Sequence, residues 1–327
     1  MIANLTRLLL LIQLTAAACI ALLLHVHAGI ASTWVAALLG VLTVILVRAF
    51  IAANNFRLAR RFPCQPKPAA LSFRAGLSLY WQEFCATMVS SSWSMPFRRL
   101  RSDLQRLSGQ IPVLLVHGYG CNSGYWRPLS RHLRAAGISH HAVDLEPILS
   151  SIDAYVPQIA AALETLRCAS GQSQVIVVAH SMGGLVMRAY QSLHGCDRIV
   201  RLITLGTPHH GTGLAQFGVG ISARQMRWAD GGVEGNANPW LGNLREVENG
   251  CGIERLISIY SRHDNIVAPQ HSARLDGARN IAFDGIGHVA LGSNRRVVAC
   301  LIEEIQSASD QALNSSPPIQ TLLAGRR

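Results

Sequence analysis

Ser181 is the residue of this 327-residue chain with the clearest chemical potential. It lies in the segment AHSMGG, residues 179–184, directly after the apolar residues 175–178. A serine on a sharp strand-to-helix turn can act as a nucleophile, because the turn lifts its hydroxyl above the strand end. Such a turn needs small residues two positions before and after the serine, and Ala179 and Gly183 meet that need. Ser and Gly also form ordinary turns, so catalytic partners are required to choose between these interpretations.

A nucleophilic serine needs a histidine base, which in turn needs a carboxylate to fix its tautomer. His288 lies in GIGH, residues 285–288, after the last predicted strand, and Asp264 follows a predicted strand at residues 256–260. We therefore predict Ser181, Asp264 and His288 as the catalytic residues, in the chain order serine, acid, base. The alternatives for the base are the lid-root pair His209 and His210 and, less favoured, His194, and the alternatives for the acid are Asp276 and Asp284.

Attack on an acyl carbon creates an oxyanion, which is stabilised by preorganised N–H donors. The backbone amide of Met182, at the start of the predicted helix, is one candidate donor. The other must come from a loop after an earlier strand, and VHGYG at residues 116–120 makes the Tyr119 amide the best candidate.

The elements that must position these residues alternate between strand and helix. Short apolar segments at 111–116, 141–143, 175–179, 199–205, 256–260 and 280–283 predict strands. Helical patterns at 125–136, 152–166, 185–193 and 296–306 lie between or after them. This alternation predicts an α/β fold with a mostly parallel sheet and helices on both faces, whose ligand site lies at the carboxyl ends of the strands. The Gly-rich residues 208–254 break the pattern, so we predict an insertion or lid there.

Two apolar stretches at residues 8–26 and 30–53 are each long enough to cross a bilayer. Basic residues precede the first and follow the second, and none lies between them, which predicts a transmembrane hairpin with both ends in the cytoplasm of the cell. Arg48, near the end of the second stretch, can reach the headgroups. The alternative is a cleaved signal peptide, because residues 26–28 loosely resemble a cleavage site. We expect a multi-pass protein of a bacterial inner membrane with a cytoplasmic catalytic domain.

A proline-rich linker and an amphipathic helix separate the hairpin from the predicted sheet. The helix, residues 71–89, carries an apolar stripe that we expect to pack on the main domain or on the bilayer surface. The stripe consists of Leu77, Tyr80, Trp81, Phe84, Cys85 and Met88.

The predicted organisation is residues 1–56 for the hairpin, 57–108 for the linker and amphipathic segment, 109–308 for the catalytic domain and 309–327 for a tail.

Composition excludes several other classes of function. Of the 29 basic residues, six lie in the first 70 positions, where no acidic residue occurs, so much of the net charge of +11 belongs to the membrane segment rather than to a nucleic-acid surface. The eight cysteines lack metal-binding spacing and fit a reducing compartment, although one or two bridges remain possible. We predict no cofactor, no metal and no nucleic-acid partner; the sequence does not indicate an oligomeric state.

The chain resembles the bacterial triacylglycerol lipases and esterases of the α/β-hydrolase superfamily. The resemblance rests on LVHGYG at 115–120, AHSMGG at 179–184, LGTPHHGT at 205–212, YSRHDNIVAP at 260–269 and GIGHVAL at 285–291, in the family's order. It implies the nucleophile, acid, base and oxyanion donors named above, and a structural role for residues 207–211. Secreted members often carry a calcium site and a conventional signal peptide. This chain shows no clear aspartate beside His288 for such a site, and its N-terminus resembles a membrane anchor instead.

Together these features predict a membrane-anchored serine hydrolase that cleaves carboxylic esters, those of lipids in particular, through an acyl-Ser181 intermediate. A thioesterase or acyltransferase using the same triad is the first alternative, because the acyl acceptor cannot be read from sequence. A receptor or scaffold that keeps the fold without turnover is the second.

Overall fold

A computed structural model describes residues 1–100, 110–228, 238–248 and 252–315. Four segments lie outside the described residues: 101–109, where the predicted linker meets the predicted catalytic domain, 229–237 and 249–251 of the predicted lid, and 316–327 of the predicted tail.

One parallel sheet dominates the second half of the described chain. Its strands are β1 Val113–Val116, β2 His140–Val143, β3 Val175–His180, β4 Ile199–Leu205, β5 Leu256–Ser261 and β6 Arg279–Phe283, in the order β2-β1-β3-β4-β5-β6. Every pairing is parallel, and β3 aligns Ala179 with Val116 on one side and with Thr204 on the other. The α/β fold with a parallel sheet is confirmed, and the predicted strands recur with small shifts of their ends.

Helices cover both faces of this sheet, because alternate strand residues point to opposite sides. On one face Leu114, Val116 and Val177 pack with α6 Val156–Ser170 and α7 Met182–His194. On the other face Leu115 and Val178 pack with α5 Arg127–Ala135 and α10 Arg295–Ser315. The crossovers therefore bury β3 completely, in keeping with its continuous apolar sequence.

The N-terminal third is helical. Helices α1 Ile2–Val26 and α2 Thr33–Ala59 pack against each other and are both long and apolar enough to cross a membrane. Helix α3 Phe73–Val89 continues through a π-helical turn, Ser90–Ser94, into the short α4 Met95–Phe97. The Arg48 guanidinium donates hydrogen bonds to Ser91 Oγ and Ser92 Oγ at 2.5 and 2.8 Å, so it contacts the π-helical turn.

The predicted apolar stripe of α3 divides between two environments. Phe84 is buried, and the Tyr80 hydroxyl donates a hydrogen bond to Ala49 O of α2. Leu77 and Trp81 are 58% and 61% exposed, whereas Glu83 is only 1% exposed. One face of α3 is therefore open, and the face carrying Glu83 packs on the sheet domain.

The predicted insertion contains short helices between β4 and β5. Its described part includes a 3₁₀ turn at Gly213–Phe217, α8 Gly220–Gln225 and α9 Pro239–Glu248. Cys196, just after α7, is disulfide-bonded.

Candidate active site

Ser181 occupies the turn that joins β3 to α7. Its backbone has φ 54° and ψ −128°, a strained combination for a residue other than glycine. The turn is closely packed, because a Cβ on Gly183 would lie 2.6 Å from Val116 O and one on Gly184 would lie 2.7 Å from Thr207 Cγ2. Thr207 Oγ1 also donates a hydrogen bond to Ser181 O at 2.9 Å. The local geometry is that of a serine held on a strained strand-to-helix elbow.

Asp264 and His288 form a buried hydrogen-bonded pair. His288 Nδ1 and Asp264 Oδ2 are 2.8 Å apart, with side chains 5% and 2% exposed. Asp264 Oδ1 accepts two further hydrogen bonds, from the amides of Ile266 and Val267, each at 2.8 Å. The histidine backbone is held as well, because its amide donates to Asn265 Oδ1 at 2.9 Å. Asp264 is therefore held by two backbone amides of the loop after β5, and the backbone of His288 is held by the side chain of Asn265.

The electrostatics of the pair suit a general base. Burial alone would lower the pKa of His288, but the charge of Asp264 and its hydrogen bond, with a further contribution from Glu83, raise the pKa above its ordinary value. A nearby carboxylate that accepts from Nδ1 also keeps the Nε2 lone pair free to accept a proton.

His180 connects the serine elbow to the His288 loop. Its Nε2 lies 3.2 Å from His288 O, and the two imidazole rings are 4.6 Å apart. The ring stacks on Tyr125 at 4.4 Å, and burial, together with the charge of His288, lowers its pKa well below the ordinary value. The residue before Ser181 thus packs directly on His288, which brings the loops of the predicted nucleophile and base together.

The loop after β1 lies against the elbow. A Cβ on Gly118 would lie 2.8 Å from Ser181 Cβ, so only glycine permits this approach. His117 fixes the loop: its Nε2 accepts from the Leu145 amide at 3.0 Å, so Nδ1 carries the proton and donates to Gly118 O at 2.9 Å. Within the described part of the chain, the amides of Tyr119 and Met182 donate to no protein acceptor.

The alternative bases are engaged elsewhere. His209 is buried, with Nδ1 3.4 Å from an Arg188 nitrogen and Nε2 3.3 Å from Thr204 Oγ1. Burial, followed by the charge of Arg188, lowers its pKa well below the ordinary value. The same two causes lower the pKa of His210 to about 4. His194 is exposed at the end of α7 and stacks on Tyr190.

The alternative acids are also placed away from this pair. Asp284 is 43% exposed and forms an ion pair with Arg262 at 2.6 Å. Asp276 is exposed on the loop before β6. Of the carboxylates considered from sequence, only Asp264 contacts His288 among the described residues.

Sequence reasoning missed Glu83. Its Oε1 and Oε2 accept hydrogen bonds from the amides of Val289 and Ala290, at 3.0 and 2.9 Å, immediately after the candidate base. Glu83 is the only acidic residue among the first 100, but one acidic residue on an amphipathic helix does not by itself predict burial. Asn265 was missed too, since nothing in its sequence context distinguishes it from a turn residue.

Comparisons with known proteins agree with the fold that carries this site. A family model described as "alpha/beta hydrolase fold" matches residues 111–250. The mature form of a Bacillus licheniformis lipase superposes with a TM-score of 0.50 at 19% identity, covering 59% of this chain and 92% of that one. Lipase B of Aspergillus fumigatus gives the same TM-score at 19% identity, covering 61% and 53%. Residues 111–250 therefore have the α/β-hydrolase fold.

Two curated relatives match part of the hydrolase domain. Both are named triacylglycerol lipase, one from Pseudarthrobacter phenanthrenivorans and one from Burkholderia plantarii, and each is 28% identical over 116 residues. Each match covers 33% of this chain, and 36% and 32% of the two relatives. The chain therefore spans about a third of the length of these relatives.

Within the hydrolase domain, the site lies where ligands of such folds bind, at the carboxyl ends of the strands. Ser181 follows β3, Asp264 follows β5 and His288 follows β6. The parallel order places these ends on one edge, although the three residues are separated by 83 and 24 positions in sequence. This arrangement can perform nucleophilic acyl chemistry.

Proposed function

We propose that the chain is a membrane-anchored serine hydrolase that cleaves carboxylic esters, those of lipids in particular, through an acyl-Ser181 intermediate. The observation that carries the proposal is the buried Asp264–His288 pair, in which His288 contacts the residue that precedes a serine with positive φ. A strained residue persists only where the surrounding structure enforces it, and such strain is concentrated at functional sites.

In the proposed reaction, Ser181 Oγ attacks the ester carbonyl while His288 Nε2 takes the hydroxyl proton. Asp264 stabilises the imidazolium that forms, which is consistent with the raised pKa of His288. The imidazolium then gives the proton to the departing alcohol, leaving the acyl group on Ser181. Water, deprotonated by the same histidine, hydrolyses the acyl-enzyme.

We propose the amides of Tyr119 and Met182 as the donors that stabilise the oxyanion. Tyr119 follows Gly118 and Met182 follows Ser181, and Gly118 packs directly on Ser181 at the elbow. Neither amide is used by the described protein, so both can donate to a substrate oxygen. Preorganised donors of this kind contribute about 3–4 kcal/mol each to catalysis.

A lipid substrate is supported by the insertion beside this loop. Phe217, Val219 and Ile221 are 58%, 63% and 46% exposed, an unusual density of apolar side chains on a soluble surface. The Tyr119 hydroxyl donates to Val219 O at 2.7 Å, which joins this apolar segment to the proposed oxyanion loop. A Cβ on Gly213 would clash with Phe62, so the insertion also contacts the segment that follows α2.

The proposed membrane anchor is the α1–α2 hairpin, and helix α3 extends its apolar surface. Phe73, Leu77 and Trp81 recur every four residues and are 86%, 58% and 61% exposed. A stripe with this spacing lies along one side of a helix, as in helices that lie in a membrane interface. We accordingly propose residues 1–56 as the anchor, 57–108 as the linker and amphipathic segment, and 109–308 as the catalytic domain.

The proposal is tested by labelling the detergent-solubilised protein with a fluorophosphonate and measuring hydrolysis of esters of increasing acyl length. Ser181→Ala should abolish both signals while circular dichroism stays unchanged. Ser192→Ala, on the same helix α7 but away from the elbow, is the matched control and should behave as the wild type. Retained hydrolysis in Ser181→Ala would refute the assignment, and absence of labelling in the wild type would indicate a non-catalytic domain. Product analysis with added alcohol or thiol acceptors separates hydrolysis from acyl transfer.

A further inference from the structure

Glu83 is a buried carboxylate that lies outside the proposed triad. It belongs to α3, in the segment that precedes the sheet, yet its two oxygens accept the amides of Val289 and Ala290. On the other side of His288, a Cβ on Gly287 would lie 2.6 Å from Glu83 Cδ. The carboxylate therefore contacts the chain both before and after His288, and glycine at position 287 makes this contact possible.

The hydrogen bonds of Glu83 match those of an ionised side chain. Each oxygen accepts from a backbone N–H, and an ionised carboxylate offers acceptors at both oxygens. Burial, the largest cause, and the charge of Asp264 raise the pKa of Glu83 above its ordinary value, although the two amides and the charge of His288 oppose this shift. The bonding pattern thus fits an ionised carboxylate in a desolvated position, where a charge interacts strongly with its neighbours.

Several titratable groups face His288 from the elements packed around it. Asp264 contacts Nδ1, His180 packs on the ring, and Tyr125 packs on His180. His180 is neutral because burial lowers its pKa strongly, and burial raises the pKa of Tyr125 so that it is neutral too. Asp264 and Glu83 are therefore the two charges that act on His288 from these elements.

We propose that Glu83 is a positioning residue for the general base: it fixes the loop that carries His288 and places a second negative charge behind the imidazole. The role rests on the proposed function, because it presumes that His288 accepts the proton of Ser181. Through Glu83 the amphipathic helix α3, rather than the hydrolase domain alone, completes the surroundings of the base. No covalent step is involved, since Glu83 acts through the backbone and through charge.

The variant Glu83→Gln tests this role, because it keeps the shape of the side chain, removes the charge and replaces one of the two acceptor oxygens by a nitrogen that only donates. The matched control is Gln82→Ala, which removes the exposed hydrogen bond between Gln82 and Asn294, another contact of α3 with the same region, without changing charge. Histidine-selective ¹³C NMR titration of the full chain in detergent micelles, with His288 assigned by a His288→Gln variant, measures the base directly.

We expect the pKa of His288 to fall by about one unit in Glu83→Gln and to stay unchanged in Gln82→Ala. The acidic limb of kcat/KM should move to lower pH by the same amount, and kcat should fall by about tenfold with little change in KM. An unchanged pKa of His288 in folded Glu83→Gln would overturn the proposal. If that variant does not fold, Glu83→Asp keeps the charge one methylene further away, and its His288 must show a smaller shift in the same direction.

This titration also separates the two proposals. The pKa of His288 is measured without turnover, so it tests Glu83 even in a chain that hydrolyses no ester. A wild-type protein without esterase activity would refute the proposed function, and the comparison of Glu83→Gln with wild type would still decide whether Glu83 acts on His288.

Discussion

Replacing Asp264 with Asn should disable the base while leaving the loop folded. Asp264 Oδ1 accepts the amides of Ile266 and Val267 at 2.8 Å, and the Asn oxygen can keep both bonds. The Asn nitrogen, however, would replace Oδ2, which lies 2.8 Å from His288 Nδ1. Because an amide nitrogen only donates, Nδ1 must become the acceptor and the ring proton must move to Nε2. The imidazole could then no longer accept the proton of Ser181.

The expected loss follows from this tautomer change together with the lost charge. In serine triads, the same substitution lowers kcat by about 10⁴, or roughly 5.5 kcal/mol of transition-state stabilisation. Removal of the carboxylate should also lower the pKa of His288, since the charge of Asp264 raises it. The remaining activity should therefore show its acidic limb at lower pH than the wild type.

The assay compares kcat/KM for a short-chain ester between pH 5 and 9 in Asp264→Asn and Asp284→Asn. Asp284 is the matched control, because it lies in the same strand-end region but pairs with Arg262 at the surface. We expect Asp284→Asn to stay within about twofold of wild type, since exposed ion pairs contribute little. Activity of Asp264→Asn within tenfold of wild type would refute the assignment, and a large loss in Asp284→Asn would transfer the role to that residue.

Two further predictions concern the elbow and the membrane. Gly184→Ala should lower the free energy of unfolding by about 1–3 kcal/mol, because the added methyl group would contact Thr207. Thermal unfolding measures this loss, and an unchanged melting temperature would contradict the packing described here. A reporter fused to the C-terminus should be active on the cytoplasmic side, because the basic residues flanking the hairpin set its orientation during insertion. A periplasmic signal would instead agree with the disulfide at Cys196, since such bonds form in oxidising compartments.

The fold could be predicted from sequence because its determinants are local. The uninterrupted apolar run of β3 and the glycines around Ser181 are signals within a few residues of each other, and a parallel sheet brings the ends of its strands together. Asp264 and His288 could be proposed for the same reason, since each follows a strand. The contact between these two residues depends on the fold. The sequence predicts this contact only through the order of the strands.

Glu83 illustrates what such reasoning could not reach. It lies 205 residues before His288, on a helix whose apolar stripe predicts packing but not a partner. A single acidic residue on an amphipathic helix is most often solvated, so its type alone does not predict burial. Only the docking of α3 on the loop after β6 identifies the amides that the carboxylate accepts. The division of the stripe between buried Phe84 and exposed Trp81 depends on the same docking.

The two sides of α3 contribute to different parts of the proposed function, one to membrane attachment and the other to catalysis. Trp81 and Glu83 are separated by two residues, or about 200° around the helix, so they point in nearly opposite directions. The exposed Trp81 side continues the apolar surface of the proposed anchor, and the Glu83 side holds the loop of the proposed base. A fragment that begins at residue 109 would retain Ser181, Asp264 and His288 but would lack this carboxylate. A single helix therefore joins the proposed anchor to the proposed catalytic centre, and we infer that the segment before the sheet serves both.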